Sequence, residues 1–276
     1  MPIIAQLTAL YETRGIRIGS GLNPSHFDNF PQAPFTWFFK NGESLTNGLG
    51  IALQEIYFLE CLFERFHPKS VFAIGNSLGW SSLALALANP EARVLAIDAG
   101  TDRHAQEGIR LTNRIAAEES LRVSAIAGSS PGDVAQILRD QSMPPIDFAF
   151  VDGYHTVEQV VLDFGAVSQA AAPGCVYLFH DVENFALKPG IERIAAESGM
   201  SWRLLLGTTS GMAIVYDERS PLVLDDIAPF AAAADTVAAI RAAAWGHRHR
   251  HLARWGRSLR KRFGKTPPAA PFGESV

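Results

Sequence analysis

The sequence predicts an α/β protein: a Rossmann-like, doubly wound, mostly parallel seven-stranded sheet with helices on both faces and an antiparallel edge hairpin. Three observations predict it. Apolar runs of five or six residues alternate with longer helical stretches from residue 70 to about 216. The runs lack internal polar alternation, which suits strands buried on both faces, and helical connections suit parallel crossovers. With 47% hydrophobic and 19% charged residues in 276, the chain can bury a full core, which excludes a disordered or coiled-coil protein.

Residues 1–49 read as irregular, with Pro24, Pro31 and Pro34 and an aromatic cluster at Phe35, Trp37, Phe38 and Phe39. The start, MPIIAQLTALYETRG, has no basic region and no small-residue cleavage site, so no secretory signal is expected. No apolar run reads as long enough to span a bilayer. A helix is predicted over Gly50–Phe66, with Ile51, Leu53, Ile56, Leu59 and Leu62 on its apolar side. Strands are predicted at Ser70–Ile74, Arg93–Ile97, Leu121–Ile126, Ile146–Val151, Cys175–Phe179, Trp202–Leu206 and Met212–Tyr216. Helices are predicted between them at Trp80–Ala88, His104–Glu119, Pro131–Arg139, Val157–Ala171 and Pro189–Ser198. The last two strands are joined by Gly207–Gly211, too short for a crossover, and so form the hairpin. An Ala-rich helix over Asp226–Trp245 leads into a basic tail and a Pro-rich end. The domain organisation is therefore a cover segment (1–49), the α/β domain (50–218) and a C-terminal helix with its tail (219–276). Cys61 and Cys175 lie in apolar stretches and make no disulfide framework, so a reducing, cytoplasmic setting is expected.

The net charge of −4 hides an asymmetry: nine Lys or Arg and no acid fall in residues 241–265. The body is acidic and its tail cationic. A solvated tail is the expectation. Trp245, Leu252, Trp255, Leu259 and Phe263 keep helical spacing, which leaves open a contact with an anionic membrane surface or nucleic acid.

The segment Val71–Ser82 reads as a strand, a glycine-bearing turn and a helix start. Glycines there let a ligand approach main-chain N–H groups. Two readings compete. Gly75-Asn76-Ser77-Leu78-Gly79 has the G-x-S-x-G form of a nucleophile elbow, with Ser77 attacking and His155 or His180 as base. Against that hydrolase reading, residues 1–69 offer no strands and no His-Gly pair, and the histidines after His180 all sit in the basic tail. The other reading is a nucleoside-cofactor loop. About twenty residues on, the second strand ends in Ile97-Asp98, where an acid can accept hydrogen bonds from a ribose diol. The fourth and fifth strands end in Asp152-Gly153-Tyr154-His155 and His180-Asp181. Acids at neighbouring strand ends can share a hard divalent cation.

On these residues the stretch 70–182 resembles a class I S-adenosylmethionine-dependent methyltransferase. It is most similar to the branch that contains metal-dependent small-molecule and sugar O-methyltransferases. The resemblance is carried by Gly75-x-x-x-Gly79-Trp80-Ser81, Val94–Asp98, Phe150–His155, Asp163, Pro173-Gly174 and Phe179–Asp181. It implies S-adenosylmethionine as cofactor, with Gly75, Asn76, Ser77, Gly79 and Ser82 shaping its methionine site. Asp98 and Ala99 would lie at the ribose, Gly128 and Ser129 near the adenine, and Asp152 beside the cofactor. Asp152 and Asp181 would hold a metal such as Mg²⁺, and His155 would be the general base for a small-molecule hydroxyl. Phe35–Phe39 would cover the substrate, and a homo-oligomer is left open as a partner. Three residues depart from the family pattern. Ala73 replaces a frequent acid, and His180 and Val182 flank Asp181 where relatives often have another oxygen ligand. A catalytically decayed cofactor-binding or scaffold protein is the non-enzyme alternative.

Overall fold

The structure is a computed structural model that describes residues 2–46, 48–101 and 104–248, the last three by backbone alone. Contacts divide the chain into a unit ending at Ala231 and a second unit from Ala232 onward. Residues 249–276 lie outside the described residues, and with them most of the basic tail and its expected anionic contact.

The chain opens with α1 (Ile3–Glu12) and a small antiparallel sheet of β1 (Arg17–Gly19), β2 (Trp37–Lys40) and β3 (Glu43–Ser44). This corrects the irregular reading of residues 1–49. Strands of two to four residues are too short to show a repeat of two. In β2 the alternation is nonetheless present: Phe38 is buried against Tyr11 and Trp80, while Trp37 and Phe39 stack on each other on the other side.

Next come α2 (Leu53–Phe63), β4 (Ser70–Ile74), α3 (Trp80–Ala88), β5 (Arg93–Asp98), α4 (Ala105–Glu118), β6 (Val123–Ala127) and α5 (Val134–Asp140). The unit continues with β7 (Ile146–Val151), α6 (Val157–Ser168), β8 (Ala171–Phe179), α7 (Lys188–Ser198), β9 (Ser201–Leu205) and β10 (Met212–Tyr216). Seven strands form one sheet in the order β6-β5-β4-β7-β8-β10-β9, all running the same way except β10, which is antiparallel to both β8 and β9. The predicted architecture is therefore the observed one. Alternate residues of the central strands feed two cores. Val71, Ala73, Phe148 and Phe150 face α1–α4, whereas Phe72, Ile74, Ala149 and Val151 face α5–α7. Burial on both faces is why these strands read as unbroken apolar runs.

The predicted Asp226–Trp245 helix is not one helix. It consists of α8 (Leu224–Ile227), a 3₁₀ turn at Ala228–Phe230 and, in the second unit, α9 (Ala234–Arg248). Pro229 lacks an N–H and obstructs the turn before it, so a continuous helix fails there. The expectation about apolar runs also needs correction. By length and composition an 18-residue window within Leu224–Trp245 passes for a membrane span, with a mean hydropathy of 1.3. Asp235 and Arg241, scattered among the alanines, hid that average from a search for unbroken runs.

Strand order reverses between β4 and β7, which opens a crevice at their carboxyl ends. Register sets what stands there. Ile74 pairs with Ile97 and with Val151, and Val151 pairs with Phe179. The residues that follow these pairs, Gly75, Asp98, Asp152 and His180, must therefore emerge side by side. The ladder continues one step into them: Gly75 N–H donates to Ile97 O at 2.9 Å, Asp152 N–H to Ile74 O at 2.9 Å and His180 N–H to Val151 O at 3.0 Å.

Candidate functional site

The crevice is a cavity of about 900 Å³. It is lined by the loop after β4, Asp98–Ala99, Gly128–Ser130, Asp152–His155 and His180–Asp181, and also by Phe35, Phe38 and Leu49. That volume lies at the upper end of the range for small-molecule and cofactor sites.

The loop after β4 is fixed by steric need. Gly75 has φ +96°, and a Cβ there would stand 2.1 Å from Asp152 O. Gly79 has φ +89°, and its Cβ would meet Thr112 Oγ1 at 2.1 Å. Ser77 takes φ +44°, a left-handed conformation that a non-glycine residue adopts only when its surroundings impose it. Asp98 does the imposing. Its Oδ2 accepts from Asn76 N–H at 3.1 Å and Ser77 N–H at 2.8 Å, and its Oδ1 from Gly100 N–H at 2.9 Å. Three of the roughly four acceptor directions of the carboxylate are thereby taken, and one is left for a ligand.

Gly75, Asn76, Ser77, Asp98, Ala99, Gly128, Ser129 and Asp152 all line the cavity. Gly79 and Ser82 act from behind the loop instead. Ser82 is buried and its hydroxyl donates to Asn76 Oδ1 at 2.9 Å, while Asn76 Nδ2 donates to Thr112 Oγ1 at 3.1 Å. Sequence reading missed Gly108, whose helical position would bring a Cβ to 1.9 Å from Ser77 O. A glycine inside a helix, against propensity, was the available signal.

Removing the Asp98 carboxylate would orphan the Asn76 and Ser77 N–H groups. Asp98→Ala is expected to lower stability by about 1–3 kcal/mol, read by urea denaturation. An unchanged unfolding midpoint would show that the loop holds its shape unaided.

At the other end of the crevice a polar cluster gathers. His155 Nε2 lies 3.2 Å from Asp152 Oδ1 and 3.7 Å from Asp181 Oδ2. Asp152, His155 and Asp181 bring one donor atom each to within 4.8 Å of one another. His180 is buried, with Nε2 3.1 Å from Glu55 Oε2 and Nδ1 3.1 Å from Asp152 Oδ1. Glu55 is fully buried, and its oxygens also accept from Ala52 N–H and Ser210 N–H, each at 2.8 Å. Sequence reading missed Glu55 as well. A carboxylate next to Ile56, on the buried side of an apolar helix, was the sign.

Burial works to raise the Asp152 carboxyl, but the nearby charge of His180 and the hydrogen bond from His155 outweigh it and hold it down at about 2. Burial disfavours the charged form of His155, but the Asp152 hydrogen bond and the charges of Asp152 and Asp181 raise it above the usual imidazole value. Nearby, burial raises the Asp163 carboxyl; its Oδ1 accepts from Gln159 Nε2 at 2.7 Å. Phe185 packs on the His155 ring with centroids 4.5 Å apart, and Phe35 stands edge-on to His180 at 6.4 Å.

Two carboxylates and an imidazole suit a divalent cation. The buried Nδ1 of His180, in no aligned hydrogen bond, adds a nitrogen beside them. The donor set fits a metal.

Comparison with known proteins agrees with this geometry. Residues 72–182 match the family model described as a methyltransferase domain. A caffeoyl-CoA O-methyltransferase from Populus kitakamiensis is 32% identical over 108 residues, covering 38% of this chain and 44% of its own length. The chain thus spans less than half of the curated relative that it matches. A methyltransferase from Geobacter sulfurreducens superposes with a TM-score of 0.51 at 17% identity, over 79% of this chain and 89% of that one. A cofactor-bound protein from MTB gives a TM-score of 0.50 at 15% identity, over 80% and 91%. At such identities the structures speak for the fold. Over residues 72–182 the chain is similar to methyltransferase domains, and the solved structures share its fold.

Proposed function

We propose that this domain transfers a methyl group from S-adenosylmethionine to a hydroxyl of a small molecule or sugar, in a cytoplasmic setting. One observation carries the reading. A single crevice joins a nucleoside-type loop, with Asp98 and the Gly128–Ser129 turn, to a carboxylate–imidazole cluster at the fourth and fifth strand ends.

Methyl transfer from a sulfonium is an in-line displacement in which charge is neutralised, so alignment and a more nucleophilic acceptor are what a protein must supply. The tight turn at Gly75 and the left-handed Ser77 aim main-chain N–H groups along the crevice floor. Asp98 keeps one acceptor direction for the ribose. His155, a quarter exposed, is reachable by an acceptor in the cavity that Phe35 and Phe38 also line. Its Nε2–H donates to Asp152, which orients the ring and leaves the Nδ1 lone pair to take the hydroxyl proton. Asp152 and Asp181 would hold the divalent cation, which when bound lowers the pKa of the acceptor hydroxyl.

The serine-hydrolase reading finds no support here. Among the described hydrogen bonds the His155 and His180 rings meet carboxylates, and none joins them to the Ser77 hydroxyl. The strands before the loop form a separate small sheet rather than the leading strands of the main one.

The test is transfer of labelled methyl from S-adenosylmethionine to a panel of catechols, phenols and sugars in the presence of divalent cations. Stoichiometric S-adenosylhomocysteine with a labelled acceptor is the expected result. Cofactor binding with no transfer to any acceptor would favour the decayed scaffold.

A further inference from the structure

His180 stands where the resemblance leads one to expect another oxygen ligand, and its surroundings are unusual for a core histidine. The ring is 4% exposed. Its Nε2 is 3.1 Å from Glu55 Oε2, and Glu55 is itself held by Ala52 N–H and Ser210 N–H. A carboxylate accepts only, so the Nε2 proton is committed to Glu55. In the neutral ring this leaves the lone pair on Nδ1. Nδ1 is buried without an aligned hydrogen bond, yet it touches two acceptors, Asp152 Oδ1 at 3.1 Å and Asp181 Oδ2 at 3.4 Å. Three acceptor atoms this close repel unless a second imidazole proton or a metal ion lies among them, and a bound metal would displace that proton.

We propose that His180 Nδ1 is a metal ligand beside Asp152 and Asp181, oriented by Glu55, and that the site selects a nitrogen-accepting divalent metal such as Zn²⁺, Mn²⁺ or Co²⁺ over Mg²⁺. Donors around a cation bound at the usual N and O distances lie about 3.0–3.5 Å apart, which the two His180 contacts match. A carboxylate holding the far nitrogen of a ligating imidazole is the recurrent outer support of such sites. Glu55 plays that part. Mg²⁺ wants oxygen and keeps its waters, whereas an imidazole with two carboxylates suits the first-row transition metals and zinc. His155, on the exposed side of the same oxygens, is left to move the proton. The proposal takes from the preceding section only that Asp152 and Asp181 are metal ligands; it requires no methyl transfer.

The experiment uses the full chain stripped with a chelator and titrated calorimetrically with Zn²⁺, Mn²⁺ and Mg²⁺ separately, without cofactor or acceptor. Zn²⁺ is expected to bind about 100-fold tighter than Mg²⁺. His180→Ala should lose about 100-fold in Zn²⁺ affinity, Glu55→Gln about 10–100-fold, and His155→Ala about threefold at most. If His180→Ala fails to fold, electron spin echo modulation of Mn²⁺ bound to the unaltered protein reads the same point. Coupling to a directly bound nitrogen, retained in His155→Ala, supports the assignment. Equal Zn²⁺ and Mg²⁺ affinities, no binding of any ion, no nitrogen coupling, or nitrogen coupling lost with His155 would each overturn it. Failure of methyl transfer with intact Zn²⁺ binding would count against the proposed function and leave this site standing.

Discussion

Alanine at position 108 is expected to unfold the cofactor loop rather than help its helix. In an isolated helix Gly→Ala gains about 1 kcal/mol. In the folded protein the added Cβ would fall 1.9 Å from Ser77 O and 2.8 Å from Ser77 C, both backbone atoms. Neither α4, packed on β6, nor the loop, pinned by Asp98, can yield without losing its own contacts. A net loss of about 2–3 kcal/mol is therefore expected by urea denaturation, with S-adenosylmethionine affinity falling by more than about tenfold, the equivalent of about 1.4 kcal/mol. Gly165→Ala in α6 is the control. Nothing lies within 4 Å of its Cβ position, so the change should be neutral or stabilising. A Gly108→Ala protein as stable as that control would show that the loop does not depend on this close approach.

The second large effect falls on chemistry alone. His155→Ala is expected to lower methyl transfer about 10²–10⁴-fold, the usual contribution of a positioned base. Cofactor affinity should change by less than about threefold, because the loop, Asp98 and the Gly128–Ser129 turn make no described hydrogen bond to His155. The split is the informative part. Removing a carboxylate or a loop residue would disturb binding and turnover together. Normal turnover in the variant would take His155 out of the base role and leave the fold reading intact.

The central sheet was legible because its strands obey one rule. Residues 71–74 and 148–151 are buried on both faces, so the sequence shows unbroken apolar runs there and the strand boundaries match. The site residues at strand ends were legible for a related reason: parallel register places whatever follows each run at one edge. Asp98, Asp152 and Asp181 needed no side-chain knowledge to be found. Glu55 and Gly108 were hidden because their importance lies across the fold. Glu55 meets His180, 125 positions away, and Gly108 meets a carbonyl of a different element. No local pattern records such pairs. The small N-terminal sheet escaped because its strands are shorter than the window in which a period can be counted. Asp98 was read as a ribose ligand, and the structure adds a task that its spacing could not reveal, the holding of Asn76 and Ser77.

The most direct measurement is calorimetric titration of the full chain and of Asp98→Ala with S-adenosylmethionine and S-adenosylhomocysteine. If the crevice between β4 and β7 is a sulfonium-nucleoside site, both ligands bind once per chain and compete, and Asp98→Ala weakens each by about tenfold or more. An absence of heat with either ligand, or affinities untouched by the loss of Asp98, would contradict it.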